Sequence, residues 1–270
     1  TPDGSKLLDG DQIFSGDLLF AFVSISVGII LFEGGLTLKL KEIRYQAGVV
    51  RNLLIFGPII TLVGGGLAAH YLMGLSYRLA FLFGALIIVS GPTVVTPILR
   101  NVRPNIQINN VLKWEGILID PLGALIAVLV YEFIQTSHIQ NADTLEVFKE
   151  FFITVASGAF VGGLAALFMR WIMQKNRIPE YLRNVVALGL VIFAFTFAES
   201  IAHEAGLMST TFMGIILANV RVQEFKKILS FKADVSIILI SVLFILLSSR
   251  IHVEQIEKLG VESLILFGVV

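Results

Sequence analysis

The chain has 270 residues, of which 56% are hydrophobic and 15% are charged, and its mean hydropathy is +0.87. Soluble domains are about 45–50% apolar and about 25% charged, so this composition predicts an all-α, polytopic membrane protein instead. Twenty basic residues balance 20 acidic ones. The zero net charge excludes a strongly basic nucleic-acid-binding chain, and the lack of cysteine excludes disulfides and thiolate metal sites.

Apolar windows that hold few or no charges predict eight membrane spans. In chain order they cover residues 18–38, 52–77, 79–99, 114–131, 151–169, 184–198, 205–220 and 235–249. A ninth apolar run begins near Glu262 and continues to Val270. We therefore expect an extracytoplasmic N-terminal loop over residues 1–17 and a transmembrane domain over residues 18–270. Because the chain starts without Met and stops inside an apolar run, we expect it to be truncated at both ends.

The basic residues predict how the spans are oriented. Fifteen of the 20 lie in the loops after the first, third, fifth and seventh spans, and such loops are cytoplasmic by the positive-inside rule. The N-terminus is then outside, and we predict a bacterial inner (plasma) membrane as the location.

Three acidic residues fall inside predicted spans: Glu33, Glu115 and Asp120. Acids within a membrane cost several kcal/mol and are candidates for function. Counting inward from Lys39 and Lys113 places Glu33 and Asp120 at similar depths, about 9–10 Å from the cytoplasmic end. Alternatives stay open, since Asp120 could be a neutral core acid and Glu33 could reach the membrane surface.

The fourth span gives its two acids different surroundings. Glu115 and Asp120 are five residues apart and face different directions on a helix. Glu115 is therefore expected to form a structural pair with a buried base. Gly116 lies on the face of Asp120 and opens that face to a close backbone approach. Pro121 predicts a helix break just beyond Asp120.

The third span contains a second unusual feature, the sequence SGPTVVTP at residues 90–97. Pro92, Pro97 and Gly91 predict an interrupted helix, which in lipid is tolerated only where it is buried in protein or lines a cavity. Its free carbonyl groups, with the hydroxyls of Ser90 and Thr93, suit a small hard cation. An ordinary proline-kinked helix is the alternative.

Three motifs together resemble a known family: LFEGGLTL (31–38), SGPTVVTPILR (90–100) and WEGILIDPLGALIAVLVYEF (114–133). In order and spacing they are similar to the monovalent cation/proton antiporters, of the sodium/proton exchanger-like NhaP type. The resemblance implies an inverted-repeat fold with a dimerisation domain and a core domain that contains two broken, crossing helices. It also implies a homodimer, with a possible regulatory domain after the membrane part.

The resemblance also implies roles for single residues. Asp120 matches the transport aspartate, Glu33 matches a glutamate near the cation site, and Glu115 matches the glutamate that pairs with an arginine of a late helix, expected past Val270. Ser90 matches the Thr of a Thr-Asp-Pro motif. Three positions depart from the family pattern, because Gly91 replaces the Asp of that motif, Ile119 replaces an Asn, and Gly116 replaces a Ser.

The predicted function is exchange of a monovalent cation, Na⁺ or K⁺, for H⁺, with Asp120 binding each in turn. A single transport acid favours 1:1 exchange, and no cofactor is expected beyond the transported ions. A cation-coupled symporter of similar fold is the main alternative. A passive channel and an intramembrane aspartyl enzyme, which would need two carboxylates sharing a proton, are the others.

Overall fold

The computed structural model describes residues 16–91, 95, 98–99, 101–136, 144–174, 178–220 and 237–246, with six further single positions between 248 and 268. The described elements are helices. Their bounds are α1 Gly16–Leu36, α2 Leu40–Ile43, α3 Ala47–Met73, α4 Tyr77–Leu86, α5 Ile106–Thr136, α6 Thr144–Gln174, α7 Arg183–Ile201, α8 Ala205–Asn219 and α9 Ile237–Leu246. A short 3₁₀ helix, Glu180–Leu182, leads into α7.

Each of the eight predicted spans corresponds to a described helix. Five helices in the described part of the chain, α1, α3, α5, α6 and α7, are long and apolar enough to cross a membrane, whereas α4, α8 and α9 are shorter. The predicted loop over residues 1–17 lies outside the described residues as far as residue 15, and most of the ninth run does too.

The predicted interruption of the third span is confirmed, whereas the predicted break at Pro121 is wrong. Helix α4 ends at Leu86, and residues 87–91 are not helical. Gly91 has a φ of +48°, a left-handed conformation that glycine adopts without steric cost. By contrast, α5 runs without a break from Ile106 to Thr136 with Pro121 inside it, and prolines are tolerated within membrane helices.

The helices pack as two bundles. Helices α1, α6, α7 and α8 form the first bundle, with α8 at its centre, and α3, α4 and α5 form the second. Contacts between the bundles involve mainly α5, which touches α1, α2, α6 and α8. Helix α5 therefore lies where the two bundles meet.

Glycines set the spacing within the first bundle. A Cβ atom added to Gly35 would lie 3.1 Å from the Cα of Gly214, and one added to Gly214 would clash with the carbonyl oxygen of Phe32. A Cβ atom on Gly162 would clash with the carbonyl oxygen of Ser209. Because membrane helices gain stability from close backbone contact, α8 is fixed between α1 and α6.

Candidate ion-binding site

Asp120 lies on a face of α5 that two glycines leave open. Gly116 and Gly123 are four residues before and three residues after it, so the three share one helix face. A Cβ atom on Gly116 would lie 3.3 Å from Cγ2 of Val95, and one on Gly123 would lie 2.6 Å from Cγ2 of Val89. The segment that follows α4, which we call the interrupted segment, therefore packs on the face of α5 that carries Asp120. Its residues Val89 and Val95 contact α5 on either side of Asp120 along the helix.

Ser90 and Gly91 follow Val89 directly and so enter the site from the end nearer Gly123. The Ser90 hydroxyl donates a hydrogen bond of 3.5 Å to Oε1 of Glu115, which is long for an O–H donor. This contact links the interrupted segment to Glu115, although the sequence associated Ser90 with Asp120. Pro92, Thr93 and Pro97 lie outside the described residues.

Glu33 lies on α1 at a level along the helix axis close to that of Asp120. A Cβ atom on Gly34 would lie 3.3 Å from Cγ1 of Ile117, and the Lys113 ammonium donates a 3.1 Å hydrogen bond to the carbonyl oxygen of Thr37. These pairs show that α1 and α5 run antiparallel, with residue 34 opposite residue 117. Along the helix axis, Glu33 and Asp120 are then separated by about one turn or less. The similar depth predicted for these two acids agrees with this register.

The surroundings of Asp120 combine burial with partial access. Its neighbour Ile119 is 2% exposed and Pro121 is fully buried, whereas Asp120, Glu33, Ser90 and Gly91 each remain partly exposed. An ionised carboxylate in such surroundings is costly, and either a proton or a bound cation neutralises it. Within the described residues, no group of three or more His, Cys, Asp and Glu side chains could hold a metal ion.

Three residues near the site were missed from the sequence. Gly123 was missed although it stands three residues after Asp120, and the spacing rule that identified Gly116 could have found it. Lys113 was assigned to a loop, but it lies inside α5 and binds Thr37. Asn219 was passed over as the second-last residue of the apolar run 205–220. Its amide binds the carbonyl oxygen of Leu38 (3.0 Å) and the N–H of Leu40 (2.8 Å).

Near the C-terminal end of α7, the Glu199 carboxylate caps the first turn of α8. Glu199 accepts hydrogen bonds from the backbone N–H groups of Glu204 (2.9 Å) and Gly206 (3.0 Å). Glu204 has a φ of +64°. Burial, with the nearby Glu199 carboxylate, raises the pKa of Glu204, and His203 acts in the opposite direction.

The family model for the sodium/hydrogen exchanger transmembrane domain matches residues 9–270. The chain belongs to this family. The predicted resemblance to the cation/proton antiporters is thereby confirmed.

Curated relatives and a solved structure agree with this assignment. The chain is 25% identical to "Probable Na(+)/H(+) antiporter 2" of Methanocaldococcus jannaschii, over 85% of this chain and 56% of that protein. It is 22% identical to "K(+)/H(+) antiporter NhaP" of Alkalimonas amylolytica, over 98% of this chain and 46% of that protein. The chain thus spans about half the length of these relatives.

The fold is that of a solved antiporter. The structure of the sodium proton antiporter MjNhaP1 from Methanocaldococcus jannaschii at pH 8 superimposes with a TM-score of 0.80 at 21% identity. The match covers 98% of this chain and 67% of that one. The predicted antiporter fold, with its discontinuous helix, is therefore confirmed.

Proposed function

We propose that the protein exchanges a monovalent cation for H⁺ across a membrane, with Asp120 as the group that carries each in turn. The observation that carries this proposal is the packing of the interrupted segment on the Gly116, Asp120 and Gly123 face of α5. It brings non-helical backbone beside an acid within a membrane helix, which is an arrangement typical of ion sites in transporters.

Competition for one carboxylate explains the coupling of the two fluxes. A proton or a cation neutralises Asp120, and the neutral site crosses the membrane at lower cost than the empty, charged one. When a cation is bound, we expect Ser90, Glu33, Thr93 and the backbone at Gly91 and Gly116 to bind it together with Asp120. Pro92 and Pro97 have no backbone N–H to donate, which is the basis for the interruption that the sequence predicts. Glu115 is assigned a structural role, as the acceptor of the Ser90 hydroxyl and the partner of an arginine beyond Val270.

A single carboxylate at the site favours electroneutral 1:1 exchange. Relatives with similar identity are named as Na⁺/H⁺ and as K⁺/H⁺ antiporters, so we propose an alkali cation as the substrate class, either Na⁺ or K⁺.

The decisive experiment is ion exchange by the full-length protein in proteoliposomes with a pH-sensitive dye. Wild-type protein should release protons from an acid-loaded lumen when Na⁺ or K⁺ is added outside. We expect Asp120→Asn to reduce this signal to that of protein-free liposomes, because the amide cannot be ionised. The matched control is Glu132→Gln, which removes a carboxylate about 18 Å further along the same helix and should leave exchange intact. Full exchange by Asp120→Asn would end this proposal.

The same assay separates the alternative functions. A channel would pass cations without a coupled proton flux, and a symporter would need an added organic solute before any cation-dependent signal appeared. An aspartyl enzyme would give no response to either gradient.

We further propose a homodimer in a bacterial inner membrane, with the N-terminus outside and a regulatory domain following the membrane part. Large apolar side chains on the outer faces of α6 and α7, including Phe160, Phe168, Phe193 and Phe197, are exposed and are compatible with contact to lipid or to a second copy. Cross-linking in native membranes tests the dimer.

A further inference from the structure

At the end of α1 a turn is held by both bundles. The turn over residues 37–39 follows the last residue of α1, Leu36, and leads into α2. On one side, Asn219 of α8 binds the carbonyl oxygen of Leu38 and the N–H of Leu40. Since Asn219 also donates to the carbonyl oxygen of Ile215 in its own helix (2.7 Å), the turn is fixed to the first bundle.

On its other side the same turn, together with α2, is held by α5. The Lys113 ammonium donates to the carbonyl oxygen of Thr37 (3.1 Å), and Asn110 donates to the carbonyl oxygen of Glu42 (3.3 Å). We call these two contacts the Lys113 clasp. The carbonyl groups at a helix C-terminus have no partner within the helix and carry partial negative charge, so an ammonium group from a neighbouring helix suits this position.

Apolar packing surrounds the clasp. Leu38, Ile43, Trp114 and Ile117 form one buried cluster with Val50, and Leu38 is fully buried. The cluster joins the turn and α2 to the predicted cytoplasmic end of α5. It fills the space between the bundles on the side of Asp120 at which α1 ends.

Glu42, whose carbonyl oxygen accepts the hydrogen bond from Asn110, also forms an ion pair with Lys39 at 3.2 Å. Lys113, Ile117 and Asp120 share one face of α5, because they are four and three residues apart. A movement of α5 that exposed Asp120 toward this side would break the clasp.

We propose that Lys113 is a positioning residue that keeps the pathway from Asp120 to the side at which α1 ends, the predicted cytoplasmic side, closed until the clasp opens. The inference rests on the proposed exchange function, and it adds which contact controls access to the site. Lys113 does not bind the transported ion. It acts by holding α5 against the first bundle.

Disulfide cross-linking tests the clasp directly, since the 270 residues contain no cysteine. Gly34→Cys with Ile117→Cys places two thiols across the contact between α1 and α5, where a Cβ atom on Gly34 would lie 3.3 Å from Cγ1 of Ile117. In the full-length protein, copper phenanthroline should join this pair rapidly and stop exchange, and a reductant should restore it. Adding Lys113→Met should slow cross-linking by roughly tenfold, because a charge-assisted hydrogen bond is lost. With Lys113→Arg, the rate of cross-linking should stay within about twofold of the rate with Lys113, since arginine keeps a charged donor.

A matched pair inside the first bundle serves as the control. Gly28→Cys with Phe195→Cys joins α1 to α7, where a Cβ atom on Gly28 would lie 2.7 Å from Cδ2 of Phe195. Its cross-linking should not depend on Lys113. Equal cross-linking of the Gly34 and Ile117 pair with and without Lys113, or full exchange by the cross-linked protein, would overturn the proposal.

A second readout follows access to the site and would not respond to a merely structural role. With Asp120→Cys as the reporter, a membrane-impermeant thiol reagent should react about tenfold faster from the side at which α1 ends when Lys113→Met is present. Unchanged rates from both sides would reject the role of Lys113. If the wild-type protein exchanges no cation, but cross-linking of the Gly34→Cys and Ile117→Cys pair still depends on Lys113, the exchange proposal is rejected and the clasp remains.

Discussion

Helix α8 and helix α5 are both approached closely at glycines, but different atoms make the approach. Around α8, the positions that Cβ atoms would take on Gly162 and Gly214 are occupied by backbone carbonyl oxygens, those of Ser209 and Phe32. Along α5, the corresponding positions on Gly116 and Gly123 are occupied by the side chains of Val95 and Val89. A backbone atom of a packed helix can move only if the whole helix moves. A valine side chain, by contrast, can rotate or be replaced by a smaller one.

This difference suggests separate tasks for the two regions. The first bundle resists displacement of its helices and is suited to act as a scaffold. The contact between α5 and the interrupted segment can adjust, as the proposed ion site requires. Substitutions at the glycines should therefore affect folding in one region and exchange in the other.

The largest effect is expected at Gly162. Gly162→Ala forces a methyl group against the carbonyl oxygen of Ser209, and overpacking of this kind costs about 3 kcal/mol. The melting temperature in detergent should fall by roughly 5–10 °C. The adjacent Gly163 is the control, because a Cβ atom there has its nearest neighbour at 3.8 Å, Cδ1 of Ile216. Gly163→Ala should be neutral or gain up to about 1 kcal/mol from helix propensity. Equal losses at the two positions would contradict the scaffold assignment.

A smaller effect on stability, but a larger one on transport, is expected at Gly123. Gly123→Ala would press on Cγ2 of Val89 and displace the segment that carries Ser90 and Gly91. We expect exchange to fall by about tenfold, because a misplaced ligand costs that much or more, with a melting temperature closer to wild type than that of Gly162→Ala.

Val89→Ala provides the rescue for this variant. It removes the methyl group that Gly123→Ala meets, so the double variant should recover most of the lost exchange. Gly189→Ala, at a position with no atom within 4 Å, controls for the general effect of replacing a membrane glycine. Failure of the double variant to recover would show that the α5 contact is as unyielding as those of α8.

The sequence could predict which unusual residues lie within the helices better than it could predict how they pack. Asp120, Glu33 and the interruption after α4 were accessible because charge, glycine and proline are rare within membrane spans and each has a local physical consequence. The break expected at Pro121 was wrong for the same reason, since a local rule takes no account of how the rest of a membrane helix packs. The contacts of Lys113 and Asn219 with the turn after α1 join residues that are 76 and 181 positions apart, and nothing in the local pattern pairs them.

The smallest effect is expected at Glu204, where the first bundle carries strain that exchange does not need. A non-glycine residue with a φ of +64° costs about 1–2 kcal/mol, so Glu204→Gly should raise the melting temperature by a few degrees and leave exchange unchanged. Because burial and Glu199 raise the pKa of Glu204 in the folded protein, the wild type loses stability as the pH rises from the ordinary value of 4.5 through the raised one. Glu204→Gln removes only this charge, so it should be more stable than the wild type above that pH range and equally stable below it. Glu204→Gly should be more stable than Glu204→Gln by an amount that does not depend on pH. Thermal unfolding in detergent from pH 4 to pH 8 measures both stability differences. A change in exchange rate with either variant would mean that this end of the first bundle takes part in transport and is not a passive scaffold.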